Sequence, residues 1–357
     1  MKKIVNKIEI EELTKKTHKA RELIHEVHVY LKENLREIIE EASEDYKEII
    51  KKRIAEALEN DDMKAAQSLI NDIKEHVENL KKPVTIEEAL EIMGHEQFIG
   101  PEDIQNTFGF RPATIPEIPF SPSELERAKE LGQQLILYVD TKADGTPFAV
   151  EDMHDILDGK ASDGGKLLYS ETHTKEDSVL ATQAPRLGWR LTTPEIIEGS
   201  TDKNYLEQIE TLIGYLKKEH FKGVDMPKVY EEAIDEFNSV NTPELKEKVN
   251  STKESEWQEA ARILSELSIN QLTRERSSEI IYRSAINEKK LGVKNLTFKY
   301  AWSISLDAGG KLVRVGYFVD SGLIVGRRDP RYSRGILGVC LSIGAIMAHE
   351  QIVKNTL

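Results

Sequence analysis

The sequence predicts an α+β fold: a helical hairpin arm, then a mixed core interrupted by a helical insertion, then antiparallel strands. Three observations lead there. Apolar residues recur at threes and fours through residues 11–80, and neither Pro nor Gly occurs before Pro83. A proline-punctuated stretch at 108–125 and short β-branched runs follow. From residue 296 the period switches to two, with hairpin turn chemistry between the runs. The expected division is 1–82 for the arm, 83–192 for the first half of the core, 193–292 for the insertion and 293–357 for the second half.

In the arm, Ile24, Val27, Leu31, Ile38, Ala42 and Ile49 form one stripe. "LENDDM" (58–63) reads as the reversal, with Asp61 or Asp62 as N-cap of a return helix carrying Met63, Leu69, Ile70, Ile73, Val77 and Leu80. A two-helix arm buries little by itself, so it is expected to pack on the rest of the chain or on a second copy, as a homo-oligomer would use it. His18, His25 and His28 read as solvated helix histidines.

Thr85 and Glu88 form a T-x-x-E capping box, with Gly94 as the helix stop. The prolines of "FGFRPATIPEIPFSPSEL" (108–125) forbid a regular helix, after which Ser123 and Glu126 are expected to cap one. "QLILYVD" (134–140), "GKLLYS" (165–170) and "RLGWRLT" (186–192) read as strands. "PFAVEDMHDILDG" (147–159) has a helical period.

About ninety helical residues come next. One helix is expected in 200–220, capped by Ser200 or Thr201. Another in 226–240 has Pro227 near its first position, and 242–270 holds two helices or one interrupted helix. A last one in 277–292 ends with Lys289 and Lys290 before Gly292. The final strands are "LTFKYAWSISL" (296–306), "KLVRVGYFV" (311–319), "LIVGRR" (323–328) and "GVCLSIG" (338–344), with "DAGG" and "DSG" as hairpin turns.

The 357-residue chain has a formal charge of −14, which argues against general nucleic-acid binding, because such proteins carry a basic face. The charge is uneven: residues 1–92 hold 17 basic and 22 acidic residues, whereas 294–357 hold 9 and 4. The basic end can pair with the acidic middle or face an anionic partner. A lone cysteine, Cys340, forms no intrachain disulfide. With no signal core and no long apolar run, the expectation is a cytoplasmic protein without a membrane span.

Gly109, Arg111, Thr114 and Glu117 in "FGFRPATIPEI" (108–118) lie at the G-x-R-x-x-T-x-x-E spacing. Together with "YAWSIS" (300–305), "VRVGYF" (313–318), "LIVG" (323–326) and "GVCLSI" (338–343), they resemble the opening and closing elements of a C-type-lectin-like core of the formylglycine-generating-enzyme-like kind. "RLGWRLTTPEIIEGSTDKNYLEQIE" (186–210) and "INQLTRERSSEIIY" (269–282) resemble motifs of a bacterial protein group associated with candidate-phyla genomes. The resemblance covers roughly 105–345 and implies a lectin-like scaffold whose loops near the last strands present ligands, with 193–292 inserted between its halves. It implies neither enzyme nor sugar site: the paired cysteines of formylglycine-generating enzymes and the Glu-Pro-Asn and Trp-Asn-Asp motifs of calcium-dependent lectins do not occur.

No Walker loop, G-x-G-x-x-G, H-E-x-x-H or G-x-S-x-G is present, and no cofactor is implied. Glu151, His154 and Asp155 would share a helix face, so one alternative is a hydrolase or transferase with an acidic–histidine site at 151–155. Another is a scaffold built on the arm. The leading expectation is a non-catalytic binding protein, with Arg327, Arg328, Arg331, Tyr332 and Arg334 as the surface for a protein or anionic ligand. Arginine offers a planar fork of donors for carboxylate and phosphate, and Arg and Tyr are enriched in binding hot spots. The alternative role for these arginines is a solvated loop, or a bridge to the acidic insertion.

Overall fold

The computed structural model describes residues 83–157, 166–168 and 177–344. The expected hairpin arm, its histidines and most of the strand at 165–170 lie outside the described residues. Those described belong to one compact unit that begins at Pro83. It is an α+β fold with two four-stranded sheets.

Helix α1 (Ile86–Met93) opens on the Thr85/Glu88 capping box and stops at Gly94. Strand β1 (Phe98–Ile99) leads into α2 (Pro101–Phe108), which ends on Gly109 in the left-handed region. From Gly109 to Ser121 the proline stretch forms no helix, and Trp189 Nε1 donates to Pro116 O at 2.9 Å. Helix α3 (Pro122–Glu130) is capped by Ser121 and Glu124, not by Ser123 and Glu126. Both pairs have the capping-box spacing, but only the first puts Pro122 at N1, where a missing N–H costs nothing.

Strand β2 (Gln134–Tyr138), α4 (Val150–Leu157), α5 (Ser178–Ala181) and β3 (Gly188–Thr192) complete the first half. Helix α6 (Tyr205–Tyr215) starts at Asn204, whose side chain accepts from Glu207 N in another capping box, four residues beyond Ser200. It runs into a π-turn, Leu216–His220. Then come α7 (Lys228–Val240), α8 (Pro243–Asn250), α9 (Glu254–Glu266) and α10 (Ser268–Thr273). The stretch 242–270 is therefore interrupted, at 251–253 and again at Leu267.

Helix α11 (Ser277–Leu291) is buried from Ser277 to Glu288 on every side. A helix so placed is normally apolar all round. This one carries Ser278, Glu279, Arg283, Ser284 and Asn287 inside, and Glu279 and Arg283 are met by partners outside the helix. Arg186 donates to both oxygens of Glu279 at 2.8 and 2.7 Å. Arg283 Nε and Tyr138 Oη donate to Glu275 Oε1 at 2.7 and 2.9 Å. Gln134 and Asn287 exchange amide hydrogen bonds at 2.9 and 3.0 Å. The segment read as part of an insertion thus ends in a helix at the centre of the unit, packed against strands of both sheets.

Strands β4 (Tyr300–Leu306), β5 (Leu312–Val319) and β6 (Gly322–Arg328) form the antiparallel meander expected at the end. The first starts later than 296 because Leu296 and Phe298 have φ of 58° and 56°, which no strand accommodates. "GVCLSIG" is not one strand. Leu337–Gly338 (β7) pairs parallel with β4, whereas Ser342–Gly344 (β8) pairs antiparallel with β3. The sheet orders are β1-β2-β3-β8 and β6-β5-β4-β7, so Val339–Leu341 carries the chain from one sheet to the other. Its backbone groups are met by 193–200: Val339 N donates to Ser200 Oγ at 3.2 Å, and Leu341 N to Thr193 Oγ1 at 2.9 Å. Among the described residues, no helix is long and apolar enough to cross a membrane.

Candidate anion-binding face

The alternation of strand side chains decides which arginines meet. Arg314 on β5 lies opposite Gly326 of β6, and Leu312 lies opposite Arg328. Arg314, Gly326 and Arg328 therefore share one face, which Tyr300 of β4 joins through its pairing with Gly316. Gly326 leaves room for the Arg314 side chain, whose Nε would be 3.0 Å from a Cβ there. The Arg314 guanidinium sits 4.0 Å from the Tyr300 ring centre, and Tyr300 stacks on Tyr317 at 5.6 Å and 17°. Exposed Phe298 meets the Tyr317 ring edge-on at 5.5 Å.

Two features of β5 hold these aromatics in place. Gly316 has φ of 151°, and a Cβ there would stand 2.2 Å from Lys299 O, so only glycine fits. Tyr317 follows with φ of 51°, its N–H donating to Lys299 O. Non-glycine residues in the left-handed region store strain, and such residues concentrate at functional sites.

The loop 329–336 supplies the rest. It is tied to the start of α6: Tyr205 N donates to Pro330 O at 3.0 Å and Asp202 N to Arg334 O at 3.2 Å. Tyr332 is half-buried, and three guanidinia surround its ring: Arg314 at 5.2 Å, Arg328 at 5.2 Å and Arg334 at 5.7 Å. None of the three forms an ion pair with a carboxylate among the described residues. Burial lowers the pKa of Arg314, only partly offset by Tyr300 and Tyr332. Burial would raise that of the Tyr332 hydroxyl, but Arg314, a hydrogen bond from Arg328, and Arg334 hold it below the usual phenol range.

The five residues expected to form one surface thus separate. Arg328, Tyr332 and Arg334 come together. Arg327 faces the other side of β6, 3.4 Å from Asp307 and 3.8 Å from Asp177, as a structural bridge. Arg331 pairs with Asp329 at 3.1 Å within the loop. Arg314 is the member that sequence reading missed, because "KLVRVGYFV" reads as scaffold. The available signal was one charged residue amid the apolar positions of a strand, with a glycine-containing strand beside it.

Glu151, His154 and Asp155 lie on helix α4 beside Asp152. Asp152 pairs with Lys142 at 2.6 Å and accepts from Ala149 N at 2.9 Å, a helix-start role. Among the described residues, no three His, Cys, Asp or Glu side chains come together as a metal-binding group. A cavity of about 510 Å³ beside the π-turn is lined by Phe221, Val224, Met226 and Ile234, with Lys217, Glu231 and Asp235 at its edges. Its charges are of both signs, and they do not match one ligand class.

Comparison with protein-family models, with curated proteins and with solved structures finds no match to this chain.

Proposed function

We propose that this chain is a non-catalytic binding protein of the cytoplasm, whose lectin-like core presents an Arg/Tyr face to an anionic ligand or an acidic protein surface. The observation carrying this reading is the convergence of Arg314, Arg328 and Arg334 on Tyr332 without a carboxylate partner among the described residues. In a chain of net charge −14, carboxylates are plentiful, and a cationic cluster left unneutralised is one suited to an external anion. The stacked tyrosines support the guanidinia, so less side-chain freedom is lost when a ligand binds. The resemblance of the terminal strands to a lectin-like core supports the same region, since ligands of such folds meet the loops around the last strands.

The test is fluorescence anisotropy with a labelled hexaglutamate peptide. The wild type is expected to bind with an affinity that falls as salt rises. The double variant Arg328→Ala/Arg334→Ala is expected to bind about tenfold or more weakly. Equal affinity of the two proteins would sink the assignment.

A further inference from the structure

The next step rests on the anion-binding reading and narrows it to one ligand chemistry. Arg314 is 8% exposed, and its buried Nε has no hydrogen-bond partner among the described residues. A guanidinium held over a ring by its face keeps its in-plane N–H groups for an acceptor. The ring faces, by contrast, are spoken for within the protein. Tyr300 has Arg314 on it and stacks on Tyr317, Tyr317 also meets Phe298, and three guanidinia approach Tyr332. Among the described residues of this face, Phe298 is the aromatic side chain left open, at 59% exposure. Successive nucleobases need successive free rings, so a single strand of nucleic acid does not suit this face.

The charge count discriminates further. A carboxylate brings one negative charge and two oxygens, which satisfies one guanidinium fork. A phosphate monoester brings a charge of about −1.5 to −2 and three strong acceptor oxygens. Three guanidinia around one tyrosine match the second. A phenol hydroxyl can donate one hydrogen bond, and that of Tyr332 belongs to the ring that the three guanidinia approach.

We propose that Arg314, Arg328 and Arg334, with the Tyr332 hydroxyl, bind the phosphate group of a phosphomonoester. The ligand can be an aryl phosphate, as on a phosphorylated tyrosine, or an alkyl phosphate, as on a sugar or a serine. The shared element is the dianionic group.

The experiment is calorimetric titration of the full chain with phenyl phosphate, glycerol 3-phosphate and succinate at matched ionic strength. The phosphomonoesters are expected to bind at least tenfold more tightly than succinate. Preference for phenyl phosphate would mark an aryl source, through Phe298, and parity would mark an alkyl one; both support the proposal. Arg334→Ala, an exposed position, is expected to weaken phosphomonoester binding about tenfold with an unchanged melting temperature. Arg314→Lys keeps the charge but not the fork, and is expected to weaken it similarly. Succinate binding as tightly as the phosphomonoesters, or Arg334→Ala binding them like wild type, would overturn the proposal. If hexaglutamate still distinguishes wild type from the double variant in that case, only this narrower inference falls. If it does not, the anion-binding reading falls as well.

Discussion

Arg327 and Arg328 are neighbours in the chain and do opposite work. Arg327 points to Asp307 and Asp177, both nearly buried, and closes the turn side of the sheet. Arg328 points to Tyr332 on the other side. Arg327→Ala should therefore cost about 1–2 kcal/mol, since it leaves two carboxylates short of a cation in a partly buried setting. Its hexaglutamate binding should stay within about twofold of wild type. Arg328→Ala should show the reverse: near-native stability and weaker binding. Urea unfolding and anisotropy on both variants check this, and identical profiles would refute the two-sided arrangement.

Glu279 makes stability depend on acid. Burial alone would raise its pKa, but Arg186, bidentate on it, and Arg190 hold it down to about 2. An unfolded glutamate titrates near ~4.3. Between those values the unfolded chain binds the extra proton, so the stability that Glu279 contributes is present above about 4.3 and is lost as pH falls towards 2. The loss amounts to about 3 kcal/mol. Glu279→Gln should flatten this part of the profile. At neutral pH the variant should cost about 3–5 kcal/mol, because the Arg186 and Arg190 charges stay buried without their counterion. Urea unfolding at a series of pH values tests both statements.

His220 titrates in a separate window. Burial, with Arg127 nearby, lowers its pKa to about 4, and its Nδ1 lies 3.2 Å from Gln133 Nε2. The folded state keeps the ring neutral while an unfolded histidine protonates near ~6.5. Its contribution is therefore complete above about 6.5 and is lost as pH falls to 4. A ring-proton NMR titration should show one histidine with a midpoint near 4, missing in His220→Gln. A full set of midpoints near ~6.5 would contradict the burial.

The outline of the fold was legible where one local signal decided it. Thr85 and Glu88, Gly292, and the turns at Asp307–Gly310 and Asp320–Gly322 all act over a few residues, and they sit where the sequence puts them. Signals that occur twice were misread: Ser121 and Ser123 each have a glutamate three residues on, and only Pro122 separates them. Long-range placement was not legible at all. Glu279 meets Arg186 across 93 residues, so nothing near α11 announces that its charges lie inside. The candidate face failed in the same way. "GRRDPRYSRG" displays four arginines alike, but strand parity sends Arg327 away, Asp329 takes Arg331, and Arg314 arrives from the neighbouring strand.

Trp302 packs edge-on against Tyr205 at 5.6 Å and is 1% exposed. It ties β4 to helix α6, whose first residue also anchors the loop through Pro330 O. Trp302→Ala should cost about 3–5 kcal/mol by leaving a large cavity. It should also weaken phosphomonoester binding, since the loop anchor shifts with α6. Unfolding by urea and calorimetry with phenyl phosphate measure the two effects. A variant that loses stability but binds like wild type would show that the anchor does not depend on this contact.

Cys340 sits where the chain crosses between the sheets, 3% exposed, with Arg283 Nη2 donating to its sulfur at 3.4 Å. Burial pushes its thiol up to about 12, against the pull of Arg283, so almost no thiolate forms at neutral pH. Labelling by a thiol reagent should therefore follow global unfolding, and urea should accelerate it in parallel with loss of structure. The contact with Arg283 also separates the substitutions. A serine hydroxyl is smaller but can accept the same hydrogen bond, so Cys340→Ser should cost only about 1 kcal/mol. Valine fills the space and accepts nothing, leaving a charged donor unmet in the core. Cys340→Val should then cost about 2–3 kcal/mol despite being the more apolar change. Measured in urea, serine more disruptive than valine would mean that packing, and not the guanidinium, governs this crossing.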